Sequence, residues 1–214
     1  MAIKAPKQLR DVMKMSLVEK ESSETIKSLW TDYHSEKAQC LSMVIDKQNS
    51  NILQNNMAAS QMFIFPLHRQ SGHVMLLSQN QSQSKQYQQQ GLQPNSPNTM
   101  SVGDSLSISG RDSSENATVL FALLEDYKRN GFLSSPVLIL NIFREVIEKK
   151  GVALLRGDIV DTGMTKGEAQ LLLKRFMMFY LTPELYTDHV HPFNNNPESF
   201  NYDSYMNLLK PESR

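Results

Sequence analysis

The stretch Met164-Thr165-Lys166-Gly167-Glu168-Ala169-Gln170-Leu171-Leu172-Leu173-Lys174-Arg175-Phe176-Met177-Met178-Phe179-Tyr180 reads as a capped helix. Thr165 with Glu168 three residues later is a capping box, in which each side chain satisfies a backbone amide that the first turn leaves orphaned. Gly167 opposes this mildly, at about 1 kcal/mol relative to Ala in a helix interior and less near the first turn. Ala169, Leu172, Phe176 and Phe179 or Tyr180 form an apolar stripe at helical spacing. Leu171, Leu173, Met177 and Met178 widen it beyond what one packed face needs. Such a helix is either covered on several sides by its own protein or keeps part of its Leu, Met and Phe surface for a partner.

Upstream, Gly151-Val152-Ala153-Leu154-Leu155-Arg156-Gly157-Asp158 supplies a strand, and Phe143 to Lys150 reads as a helix ended by Gly151. Val137-Leu138-Ile139-Leu140 is a further strand. Before it, Ala117 to Leu124 reads as a strand followed by a short helix that Gly131 stops. Earlier still, Met62-Phe63-Ile64-Phe65-Pro66-Leu67 and His73-Val74-Met75-Leu76-Leu77 form a hairpin across the polar residues 68–72. Pro66 lacks an amide donor and places the first of these strands at an edge or near its own end.

The N-terminal region is helical by the same reading. Leu9, Val12, Met13 and Leu17 share one face of a short helix over Leu9 to Val18. Ile26, Leu29 or Trp30, Tyr33 and Lys37 recur at helical spacing after Ser22-Ser23, with Trp30 as the core anchor. Ser50 caps a short helix carrying Ile52, Leu53 and Met57. After the long helix, Pro183, Pro192 and Pro197 divide a tail whose aromatics clip it onto the sheet, with a terminal helix over Tyr202 to Leu209. The order of strands and helices predicts an α+β fold, with a mainly antiparallel or mixed β-sheet flanked by helices.

A break in this pattern runs from Gln79 to Gly110 and on to residue 114. Gln occupies eight of the fifteen positions 79–93, and a Pro- and Ser-rich tract follows. Such a composition buries too little apolar surface to offset the entropy of ordering about 30 residues. It predicts a flexible insertion, 79–114, in a single domain spanning 1–214.

The totals exclude several classes. Lys plus Arg and Asp plus Glu are 22 each in 214 residues, so net charge gives no argument for nucleic acid or an anionic membrane as partner. Cys40 is the single cysteine, which rules out an intrachain disulfide and a Cys-rich metal site. No run approaches the roughly 20 apolar residues of a membrane span. Lys4, Lys7, Arg10 and Lys14 give the first turns a basic bias that Asp11 interrupts, an incomplete match to an organelle-targeting segment.

Chemistry-bearing constellations are sparse. His189-Val190-His191 puts two imidazoles on one side of a strand beside Asp188, short of the further ligand zinc needs. His68 and His73 face each other across the hairpin. Asp158, Asp161 and Glu168 could converge near the start of the long helix, although caps and turns use the same groups. No phosphate loop or nucleophile elbow is present, and Cys40 lacks a nearby His signature. No catalytic residue, cofactor or metal is expected.

Leu29-Trp30-Thr31-Asp32-Tyr33-His34, Phe63-Ile64-Phe65-Pro66-Leu67, Leu124-Glu125-Asp126-Tyr127-Lys128 and Gly151-Val152-Ala153-Leu154-Leu155-Arg156-Gly157-Asp158 come in that order. Glu168-Ala169-Gln170 and Phe179-Tyr180 follow. This ordered set, over roughly residues 9–78 and 115–209, resembles the mitochondrial F1 ATP synthase assembly factor 1 family, also called the Atp11 family. The resemblance implies a non-enzymatic chaperone of the mitochondrial matrix that binds the unassembled F1 beta subunit until an alpha subunit replaces it. The resemblance also implies that ATP hydrolysis by this chain is unnecessary and that any nucleotide is associated with the client. The Gln- and Ser-rich insertion and the incomplete targeting segment depart from the family pattern.

For such a role the long helix offers Leu172, Met177, Met178 and Phe179 as apolar partner contacts, with Lys174 and Arg175 as a basic rim. The competing expectation is a structural adaptor whose insertion binds an unrelated partner. An enzymatic role would need the Asp158, Asp161 and Glu168 cluster to form.

Overall fold

A computed structural model of the chain describes residues 7–69, 72–82 and 115–210. Six strands make one curled sheet: β1 (Cys40–Asp46), β2 (Met62–Arg69), β3 (Gly72–Ser82), β4 (Ala117–Leu123), β5 (Pro136–Phe143) and β6 (Val152–Ile159). Their order is β1-β6-β5-β4-β3-β2, with every neighbouring pair antiparallel. The fold is therefore α+β as expected, and the mixed-sheet option falls away. The helices are α1 (Met15–Val18), α2 (Ser23–Ser35), α3 (Lys47–Ala59), α4 (Leu124–Asn130), α5 (Ile147–Lys150), α6 (Lys166–Leu181), α7 (Pro183–Leu185), α8 (His191–Asn195) and α9 (Tyr202–Leu208).

The pleat of β6 explains how the sheet is covered. Ala153, Leu155 and Ile159 enter the large core shared with α3, α6 and the tail, whereas Val152 and Leu154 join a second cluster with Leu9, Val18, Ile26, Trp30 and Phe143. Both faces are buried here, so the run reads as continuously apolar. Gly157 sits where β1, β6 and β5 crowd: a Cβ there would lie 3.0 Å from Leu140 Cδ2 and 3.1 Å from Leu41 Cβ. Gly151 ends α5 in the left-handed region at φ 71°, as a helix-stopping glycine does.

The tail closes the other end of the sheet. The Phe63 ring meets Phe65, Phe179, Phe193, Phe200 and Tyr205 at centroid distances of 5.2 to 6.2 Å. These are the edge-on and tilted geometries that aromatic quadrupoles favour. Trp30 is buried as expected, with Nε1–H donating to the Leu155 carbonyl at 3.1 Å.

Several expectations need correction. Leu9 to Val18 is a 3-10 turn, Leu9–Asp11, followed by α1, because the Asp11 carboxylate turns back to the Gln8 amide and closes the first turn. Asp46 caps α3 by accepting the Asn49 amide at 2.8 Å. Ser50 is buried one turn inside, where its Oγ accepts from the Arg144 guanidinium. Phe143 ends β5, and only Ile147–Lys150 is helical. The hairpin pairing continues to His68↔His73 and Arg69↔Gly72, which shortens its turn. Gln79 to Ser82 belong to β3 and pair with Leu120 to Ala117, so these four residues are strand. The remainder of the proposed insertion, 83–114, lies outside the described residues. Strand β1 was missed altogether.

Candidate functional site

Helix α6 forms where the sequence places it, with both halves of its capping box. The Glu168 amide donates to Thr165 Oγ1 at 3.2 Å, and the Glu168 carboxylate accepts the Thr165 amide at 2.8 Å. Glu168 also pairs with Arg69 at 2.7 Å. Partial burial pushes its carboxyl up, and the Thr165 amide and Arg69 outweigh this, so it lies below the usual range. Asp158 is held elsewhere by Arg156 at 2.7 Å and Lys7 at 2.8 Å. Asp161 accepts its own turn amide from Gly163 at 2.8 Å. The three acids therefore do not make one cluster, and each is occupied by local structure. His189 is buried and His191 exposed, since Tyr186–Val190 is a π-helical turn that rotates them apart. Among the described residues no three His, Cys, Asp or Glu side chains gather where a metal could be held.

The wide apolar surface of α6 is mostly core. Leu172 is 1% exposed, Phe179 0% and Met177 8%, because α3, the sheet and the tail cover this helix from more than one side. Met178 remains on the surface at 37%. Leu171, outside the expected contact set, is exposed at 40%; with Lys174 and Met178 it lies on one side of the helix at positions 171, 174 and 178. Lys174 is exposed. Arg175 is not a rim residue: its guanidinium donates to the Pro66 carbonyl and, at 3.3 Å, to the Leu209 carbonyl, tying β2 to the tail.

A direct consequence separates the two methionines. Met177→Ser should lower stability by about 2–4 kcal/mol through lost packing, while Met178→Ser should stay within about 0.5 kcal/mol of the parent. Urea unfolding of the two single variants checks this; equal midpoints would contradict the assignment of Met177 to the core.

Beside this helix a groove of about 480 Å³ runs between the end of α2, β1 and α6. His34, Leu41, Met43, Leu173 and Lys174 line it. Lys166 closes one end by donating to the carbonyls of Ser35 at 3.1 Å and Lys37 at 2.9 Å, a cation set at a helix C-terminus. Behind β1, Cys40 Sγ lies 3.6 Å from Asp158 and 3.5 Å from Arg156. Burial pushes the Asp158 carboxyl up, but hydrogen bonds from Lys7 and Arg156 prevail and hold it below the usual carboxylate range.

Burial also lowers the pKa of His34, whose Nδ1–H donates to the Trp30 carbonyl at 2.7 Å, and of His189. The folded protein then binds fewer protons than the unfolded chain below the ordinary histidine value of about 6.5. Stability from these groups is present above that pH and is lost as pH falls toward their lowered values. The thermal midpoint should be lower at pH 5.5 than at pH 7.5, and the His34→Gln/His189→Gln variant should show a smaller difference. An unchanged difference in that variant would contradict the account.

Residues 2–206 match the model of a family described as ATP11 protein. A mouse (Mus musculus) protein named ATP synthase mitochondrial F1 complex assembly factor 1 is 24% identical over 206 residues, covering 95% of this chain and 52% of its own length. A human protein of the same name is 23% identical over 205 residues, with the same coverages. The chain thus spans about half the length of the curated relatives it matches. Among the described residues no helix is long and apolar enough to cross a membrane.

Proposed function

Because this chain belongs to the ATP11 protein family, we propose that it assists assembly of the F1 sector of mitochondrial ATP synthase. It binds the unassembled F1 beta subunit in the mitochondrial matrix and prevents its aggregation until the alpha subunit takes its place. The observation that carries this reading is the family match over residues 2–206, which takes in all six described strands and the helices from α1 through the first five residues of α9.

The physical requirement is a surface that shields an apolar subunit interface and yet yields to the permanent partner. Affinity depends on the quality of a few contacts more than on area, so a small surface of moderate affinity suits exchange. The groove beside β1 and the adjoining Lys174 and Met178 on α6 meet this description: apolar lining, an exposed cation at the margin and limited extent. Leu172, Met177 and Phe179 support the surface from beneath.

The reading is tested with purified subunits. The immobilised chain should retain F1 beta, and excess F1 alpha should release it, while alpha alone should not be retained. Failure to retain folded or nascent F1 beta would remove the proposal.

A further inference from the structure

The two edges of the sheet are treated differently. In β2, the bond from the Asn80 amide to the Gln61 carbonyl at 2.7 Å fixes which residues point inward, so Met62, Ile64 and Pro66 point away from β3. That outer row is covered. Asn194 accepts the Met62 amide at 3.0 Å and donates to the Met62 carbonyl at 2.7 Å. The Tyr205 hydroxyl donates to the Ile64 carbonyl, Arg175 donates to the Pro66 carbonyl, and Pro66 has no amide proton. This edge offers another chain almost nothing to pair with.

Among the described residues, no strand pairs with the outer side of β1. The Ile159 amide donates to the Gln39 carbonyl at 2.9 Å and the Lys47 amide to the Gly151 carbonyl at 3.0 Å, so odd-numbered residues face β6 and Ser42 and Val44 face outward. No described residue bonds the amide or carbonyl of either. Ser42 is among the residues lining the groove, whose apolar lining is Leu41, Met43 and Leu173, and Val44 continues the same outward row two residues on. The charged residues lining it are Lys166 and Lys174, with no carboxylate among them. Lys166 is engaged by the carbonyls of Ser35, the last residue of α2, and of Lys37 beyond it, which leaves Lys174, without an ion pair among the described residues.

We propose that β1 is a docking edge: an extended segment of the client polypeptide adds to the sheet as a seventh strand through Ser42 and Val44. Every second side chain of that segment enters the groove, apolar ones against Leu41, Met43 and Leu173 and a carboxylate against Lys174. Strand addition takes affinity from main-chain bonds and selectivity from alternate side-chain pockets. The excess of positive charge at the groove commits the occupant to an acidic and apolar segment. Two outward residues make a short ladder, in keeping with a client that must leave. The proposal rests on the reading of the chain as a subunit chaperone.

The experiment uses purified F1 beta as the probe, with binding measured for the parent, Ser42→Pro, Lys174→Glu and Lys174→Arg. Ser42→Pro deletes an outward donor that no intramolecular bond uses, a change an edge strand tolerates. It should weaken binding about 10-fold or more, and Lys174→Glu should weaken it about 3- to 10-fold while Lys174→Arg does not. Should Ser42→Pro unfold the chain, amide exchange decides: in the parent complex the Ser42 and Val44 amides should become protected. Parent binding with unprotected Ser42 and Val44 amides and an unaffected Lys174→Glu variant overturns the edge while leaving the chaperone reading intact. Absence of parent binding overturns that reading instead. A parent that sediments as a dimer through this edge, with F1 beta binding unchanged in Ser42→Pro, assigns the edge to a second copy and likewise overturns the proposal.

Discussion

Phe63→Ala should destabilise the protein by about 3–5 kcal/mol, the range for deleting a fully buried aromatic ring. Phe63 is completely buried, and its ring holds five others, from β2 itself (Phe65), from α6 (Phe179) and from the tail (Phe193, Phe200, Tyr205). The cavity cannot collapse easily, because those rings belong to elements separately pinned: Tyr205 to the Ile64 carbonyl, Asn194 to Met62, Arg175 to Pro66 and Leu209. Against a typical total of about 5–15 kcal/mol, this is a large fraction. A chain of this size should lose roughly 10 °C from its thermal midpoint. Calorimetry of the variant checks it; a loss under about 1 kcal/mol would mean that the tail does not pack on β2.

Trp30→Ala should cost a similar amount, about 3–5 kcal/mol, from the opposite face of the sheet. The indole fills the second cluster with Ile26, Phe143 and Leu154, stacks edge-on against Phe143 at 5.9 Å and donates to the Leu155 carbonyl. Its functional consequence should differ from that of Phe63→Ala. Trp30 seats α2, and the carbonyls at the end of α2 anchor Lys166 at the groove. At a temperature where both variants remain folded, Trp30→Ala should lose more affinity for F1 beta than Phe63→Ala. Circular dichroism to fix the temperature, followed by binding, separates the two; equal affinities would show that α2 does not shape the docking surface.

Features written in adjacent residues were legible before the fold was known. The capping box at Thr165 and Glu168 and the glycine that ends α5 are local, and each appears where its residues predict. Pro66 correctly marked an edge strand, since a missing amide matters only inside a ladder. What failed depended on distant partners. The hydrophobic width of α6 could not reveal how many neighbours cover it, and the elements that bury Leu172, Met177 and Phe179 include α3, more than 100 residues earlier, and the tail that follows. Arg175 looked like a solvated cation because nothing nearby in sequence says that Pro66 and Leu209 present carbonyls to it.

Strand β1 illustrates the same limit. Leu41, Met43 and Ile45 alternate with Cys40, Ser42 and Val44 as a half-buried strand should. Val44 packs toward the second cluster and Cys40 is buried near Arg156 and Asp158, so the outward set is not polar enough to make the period plain. The groove arises from three elements meeting across more than 130 residues, from His34 to Lys174, and no single stretch announces it.

The central claim is that this folded chain shields F1 beta during assembly. Its most direct test is the light scattering of F1 beta diluted from denaturant, with and without an equimolar amount of the chain, followed by addition of F1 alpha. The account predicts suppressed scattering, a soluble complex of the two proteins, and transfer of F1 beta to alpha when alpha is added. Scattering that rises equally in both samples, with no complex recovered, would contradict it.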